Sequence, residues 1–352
     1  MSPDLTAKKL TAKTLTASKL AAKKSTAKKP TANLLTKEAY DERLRTLSEG
    51  SVNVNFNAFI DIKWDDPEFA VDTSDPRWVL TSADALGAHP WYQKQSLETQ
   101  IRIGIWRWAV IAKVGMQFEN LLMRGALDYI YHLGNQNQEF RYLTHEITEE
   151  THHTQMFQEL VNRTGMDTAG GKRWFRQVSR ILPLFGSIYP EAFFTGILAG
   201  EEPIDHLQKG ALRSGEPVHP LPRRIMQIHI AEEARHISFA HEFLRLRVPR
   251  FGKARRGALS VLFPLIMRIL CDVIMIPDRK SAELVGIPDS VIKDVFWKSE
   301  AGQKMLQELF SDVRMLAQDI GLMNKVSRPL WKALRIDGRP ARFRGEPAPL
   351  AD

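Results

Sequence analysis

The chain has 352 residues, 43% of them hydrophobic and 26% charged, which is enough apolar material for a buried core and excludes a wholly disordered protein. Its single cysteine, Cys271, excludes an intramolecular disulfide framework and any thiolate-held zinc or iron–sulfur site. The formal charge of +8 is concentrated at one end: residues 1–36 carry eight lysines and one acid, so the rest of the chain is nearly neutral and has no nucleic-acid signature.

Residues 5–34 repeat every five positions, as LTAKK, LTAKT, LTASK, LAAKK, STAKK and PTANL. That period suits neither a helix stripe nor a strand alternation. Segment 1–36 is therefore expected to be a disordered Lys/Ala/Thr tail, either a solvated arm or a weak contact for nucleic-acid phosphates. Its lysines precede no apolar run of the secretory kind, and it lacks the arginines of a transit peptide. SVNVNF at 51–56 alternates and predicts a short extended segment.

Helical spacing then runs through 94–133, 137–164, 188–212, 220–247, 254–276 and 289–322, with Gly or Pro punctuating the series. The most apolar stretch, 258–277, contains Pro264, Arg268 and Asp272. Two central charges are costly in a bilayer, so a buried or interface helix is expected there and no membrane span. Segment 336–352, rich in proline and charge, predicts an extended, poorly ordered C-terminal tail. The expected architecture is all-α, a helical bundle with additional helices over 37–335, in the reducing cytoplasm.

Two of these helices carry Glu-x-x-His, as Glu149/His152 and Glu150/His153 in one and Glu233/His236 in the other. With 22 glutamates and ten histidines, chance alone gives about 0.6 such pairs, so one pair says little. The longer spacing says more. Glu119 precedes Glu150 by 31 residues, and Glu202 precedes Glu233 by 31. A glutamate on one helix and Glu-x-x-His on the next, twice over, is what a carboxylate-bridged dimetal bundle requires. Residues three apart share a helix face and reach one ion. Oxygen and imidazole donors without thiolate suit iron or manganese.

The repeated spacing favours Glu202 over Glu201 and Glu150/His153 over Glu149/His152. A competing set of His145, Glu149 and His152 stays open. His229 lies on the face of Glu233 and His236 and reads as a further ligand, or else as a supporting or core histidine. Glu119 sits among Ala112, Gly115, Leu122 and Ala126, where a lone acid needs a metal or a buried base. Asp205, Glu146 and Arg235 are candidates for orienting the histidines.

The order Glu119, Glu150/His153, Glu202, His229/Glu233/His236 resembles the p-aminobenzoate N-oxygenase family of non-haem di-iron oxygenases, within the ferritin-like superfamily. The resemblance spans about residues 90–250, and the histidine four before the last Glu-x-x-His is its most specific part. It implies a ferritin-like four-helix bundle holding two iron ions, or manganese, on Glu119, Glu150, Glu202, Glu233, His153, His229 and His236. It also implies O2 as co-substrate, oxidation of a small organic amine of the aryl type, an external electron donor (a reductase or ferredoxin) and a homodimer. Another di-iron hydroxylase or desaturase, and a non-catalytic ferritin-like iron-binding protein, are the competing readings.

Overall fold

A computed structural model describes residues 34–296 and 298–346; the repeats of the N-terminal segment and the last six residues lie outside the described residues. Helix α1 (Lys37–Asn53) starts where the Thr36 hydroxyl accepts from the Ala39 N–H at 3.2 Å. It continues through Ser51–Asn53, so the extended segment expected at 51–56 is half helix. Val52 and Val54 are both exposed, and the alternation there has no core to face. No strand occurs among the described residues. Turns and short 3-10 segments follow, then the brief helix α2 (Pro90–Gln93).

Four long helices build the bundle. Helix α3 (Leu97–Tyr131) opens with Ser96 accepting from the Thr99 N–H at 3.3 Å. Helix α4 (Gln138–Thr164) opens with Asn137 accepting from the Glu139 N–H at 2.9 Å. It ends at Gly165, whose φ of 64° is the left-handed cap that glycine adopts without strain. Two short helices, α5 (Arg173–Val178) and α6 (Phe185–Ile188), lead to α7 (Pro190–Arg213) and α8 (Pro220–Arg247). Both begin on a proline, whose missing N–H costs nothing at the first helical position.

Helix α3 packs along α4, and α7 along α8. Six-residue connections join each pair as an antiparallel hairpin. Contacts of α4 with α8 and of α3 with α7 close a ferritin-like four-helix bundle, and α1 lies across α4 and α8. At Gly125 an added Cβ would fall 2.2 Å from the Phe193 ring, so glycine lets α3 and α7 approach there. Helix α9 (Lys253–Met275) packs on α7. Its Phe263, Met267, Cys271 and Ile274 are buried, while Leu262 and Ile269 stay exposed. By length and composition this helix is apolar enough to cross a bilayer, yet 50% of its most apolar window is buried inside the fold.

Helix α10 (Arg279–Leu284) precedes three helices where one was expected over 289–322: α11 (Asp289–Val295), α12 (Glu300–Glu308) and α13 (Ser311–Asp319). The breaks fall at Phe296 and Phe310, both buried, with non-helical backbone that turns each ring into the core. After α14 (Arg328–Ala333), the segment expected to be a loose tail is held down over 336–346. Arg314 donates to the carbonyls of Ile336 and Arg339, and the Gly345 N–H donates to Asp312 at 2.6 Å.

Candidate metal centre

Each bundle helix sends acidic or imidazole side chains inward: Glu119 from α3, Glu150 and His153 from α4, Glu201 from α7, and His229, Glu233 and His236 from α8. None is more than 6% exposed. They form two groups, Glu119/His153/His229/Glu233 and Glu150/Glu201/Glu233/His236, with donor atoms in each lying within 4.8 Å of one another. Glu233 belongs to both. Glu150 reaches both as well, with one oxygen 2.9 Å from His153 Nδ1 and the other 2.8 Å from His236 Nδ1.

Several of these atoms have no hydrogen-bond partner although they are fully buried: both oxygens of Glu201, both of Glu233, Glu150 Oε1 and His236 Nδ1. Glu150 Oε1 and His236 Nδ1 are 2.8 Å apart without hydrogen-bond geometry. Orphaned buried donors and acceptors are costly unless something else satisfies them. Lone pairs converging on two points are what a pair of cations would complete.

Electrostatics points the same way. Burial, then the charges of Glu150 and Glu233, holds the Glu119 carboxyl well above its ordinary range. Burial, then Glu233, does the same to Glu201. Burial also opposes ionisation of Glu150, but His236 and His153 outweigh it and draw that carboxyl to about 2. Burial pushes His229 down to about 4. Four carboxyls thus crowd one buried site, and two divalent ions would balance Glu119, Glu150, Glu201 and Glu233 in their ionised forms. The donor set of oxygen and imidazole, with no thiolate, suits iron or manganese.

Of the residues singled out from the sequence, six come together as expected. Glu202 does not. It points away from the centre and meets His241 Nε2 at 2.6 Å, while the neighbouring Glu201 takes the inward place. Successive helix residues differ by about 100° in direction, so only one of two adjacent glutamates can face the centre. Glu201 shares its face with Ile197, Ile204 and Gln208. The alternative His145/Glu149/His152 set does not assemble: His152 Nδ1 accepts from the Ala58 N–H at 3.5 Å, and His145 belongs to neither group.

Glu149 and Glu232 have a separate role that sequence reasoning missed. Glu149 lies 2.7 Å from His236 Nε2, and Glu232 lies 2.8 Å from His153 Nε2. A carboxylate accepts, so each fixes Nε2 as the protonated nitrogen and leaves Nδ1 facing the centre. Gln208 holds His229 Nδ1 at 3.0 Å, leaving Nε2 toward Glu119 and Glu233. Arg235 acts one step out, donating to Glu149 at 2.8 Å. Asp205 instead pairs with Lys209, and Glu146 is buried beside the centre with one oxygen unpartnered. A signal for the supporting carboxylates was present: both motifs read Glu-Glu-x-x-His.

An apolar cavity adjoins the centre between α3 and α7, and Glu119, Glu201 and His229 are among the residues that line it. A bundle with two carboxylate–imidazole groups in its core is the architecture of the ferritin-like dimetal-carboxylate proteins. The sequence profile of the family described as p-aminobenzoate N-oxygenase AurF matches residues 37–321, and the chain belongs to that family of oxygenases. Uncharacterized proteins of Mycobacterium bovis and Mycobacterium tuberculosis are each 53% identical to it over 308 residues, covering 88% of this chain and 91% of theirs.

Proposed function

We propose that the protein is a non-haem di-iron oxygenase that uses O2 to oxidise the nitrogen of a small amine of the aryl type. The observation that carries this reading is the opening of two donor groups, joined by Glu233, onto an apolar cavity. Glu119, His153, His229 and Glu233 would hold one iron, and Glu150, Glu201, Glu233 and His236 the other, with Glu150 and Glu233 between them. When bound and reduced, such an iron pair supplies the binding and activation of O2.

The chain's own residues then set the conditions. Glu149, Glu232 and Gln208 keep the three imidazoles oriented toward the centre. The apolar walls exclude water and place the amine nitrogen beside Glu119 and Glu201. One oxygen atom goes to the nitrogen and the other leaves as water, with two electrons and two protons consumed for each oxygen inserted. The electrons come from an external reductase or ferredoxin.

The test is anaerobic loading with ferrous iron, reduction, and exposure to 18O2 with a panel of anilines. Mass spectrometry should find label on nitrogen. Label on carbon only, or a desaturated product, would move the protein to the hydroxylase or desaturase reading that uses the same side chains. O2 consumption that no amine affects would sink both.

A further inference from the structure

The cavity itself narrows the substrate, given the reading of this site as a substrate pocket. It is narrow, with about 40 Å3 of solvent-accessible volume. Ile111 and Leu122 mark the extent of its lining along α3, eleven residues apart, so that lining covers roughly 16 Å of the helix. Ile197, Gly200 and Ile204 of α7 form the facing wall. At Gly115 an added Cβ would stand 3.0 Å from the Phe157 ring, and at Gly200 3.2 Å from Phe118, so these glycines let two aromatic rings approach the helices that line the slot.

The polar lining consists of Glu119, Glu201, His229 and Gln208. The first three belong to the candidate centre, and Gln208 is engaged by His229. Among the described residues no lysine or arginine lines the slot. Arg107 lines an adjoining hollow that shares Ile111, Ile204 and Gln208 with it. There its Nε donates to Asp84 at 3.0 Å and its Nη1 to the Met275 carbonyl at 3.3 Å. With the amine nitrogen beside Glu119 and Glu201, a carboxylate on the opposite side of the ring would lose its water and find no cation along the walls.

We infer that the substrate of this chain is an aromatic amine with an uncharged, apolar body, and that a ring bearing a carboxylate, such as p-aminobenzoate, is disfavoured. The specificity-determining residues are the apolar wall positions, Ile111 and Ile204 foremost, because both line the slot and the adjoining hollow.

The probes are 4-methylaniline and 4-aminobenzoate, which share the aniline ring and differ in methyl against carboxylate. Their affinities are measured on the purified full chain, as isolated and after anaerobic ferrous loading, with iron content read in parallel. 4-Methylaniline should bind at least about tenfold more tightly in both states. Ile204→Phe, which fills the slot at a half-buried position, should weaken 4-methylaniline binding and leave the iron content unchanged. Ile204→Arg should raise the affinity for 4-aminobenzoate. Equal or tighter binding of 4-aminobenzoate by the unaltered chain, or no binding of either probe, overturns the inference. Should the preference hold in a protein that takes up no iron, the oxygenase reading fails and the inference about the slot stands.

Discussion

Glu149 of α4 supports His236 of α8 at 2.7 Å, and the relationship is reciprocated, since Glu232 of α8 supports His153 of α4 at 2.8 Å. Each helix of this pair thus orients the other's imidazole. Removing either carboxylate frees a ring to rotate and takes away the acceptor that fixes its tautomer. Glu232→Ala and Glu149→Ala should each weaken metal binding by about 10–100-fold without unfolding the bundle. Metal titration followed by helical circular dichroism checks both halves of that statement. An unchanged affinity in both variants would mean the pairs are structural only.

Adjacent glutamates on α7 should behave in opposite ways. Glu201→Ala removes a centre-facing carboxylate and should lower the metal load. Glu202→Ala should keep the load and destabilise the fold by about 1–3 kcal/mol, because buried His241 loses its acceptor. Elemental analysis and urea denaturation of the two variants separate the effects; a metal-depleted Glu202→Ala protein would restore the sequence-based assignment.

That pair also shows how far the sequence could be read. The long helices α3, α4, α7, α8 and α9 were legible within a few residues because Gly, Pro and polar caps mark their ends. Four of the clustered residues were legible because Glu-x-x-His recurs on two helices, Glu119 from its spacing to Glu150 and His229 from the face it shares with Glu233 and His236. Glu201 was not, since counting 31 residues across a loop measures chain length, while the inward direction depends on each helix's phase. Leu198 and Ile197 are both buried, so apolar neighbours did not decide between the two faces. The breaks at Phe296 and Phe310 were hidden for another reason. No glycine or proline marks them, and tertiary burial of each ring overrides the local helix preference.

Away from the centre, Glu139 knots α1, α3, α4 and α8 together. It accepts from Tyr40 at 2.9 Å, from Tyr129, and from Arg247 at 3.3 Å. Glu139→Ala should cost about 2–4 kcal/mol of stability while leaving metal affinity within about twofold. Parallel denaturation and metal titration would expose a wrong assignment if the affinity fell with the stability.

His219 caps α8 and stacks on Trp78 with ring centres 4.0 Å apart. Burial draws its pKa from 6.5 down to about 4. Between those values the unfolded chain binds a proton that the folded chain refuses. The stabilising contribution is therefore full above pH 6.5 and is lost as pH falls toward about 4. The loss is of order 3 kcal/mol. His219→Asn, which preserves a capping side chain, should flatten this part of the stability profile measured by denaturation at several pH values; an unchanged slope would assign the acid sensitivity elsewhere.

Two joined ligand groups converging from four helices should hold a metal pair. Elemental analysis of the purified chain after anaerobic ferrous loading and removal of free metal reads this out. The two groups sharing Glu233 predict about two irons per chain. A chain that retains none, while remaining helical, would leave the clustered carboxylates and imidazoles without a metal role.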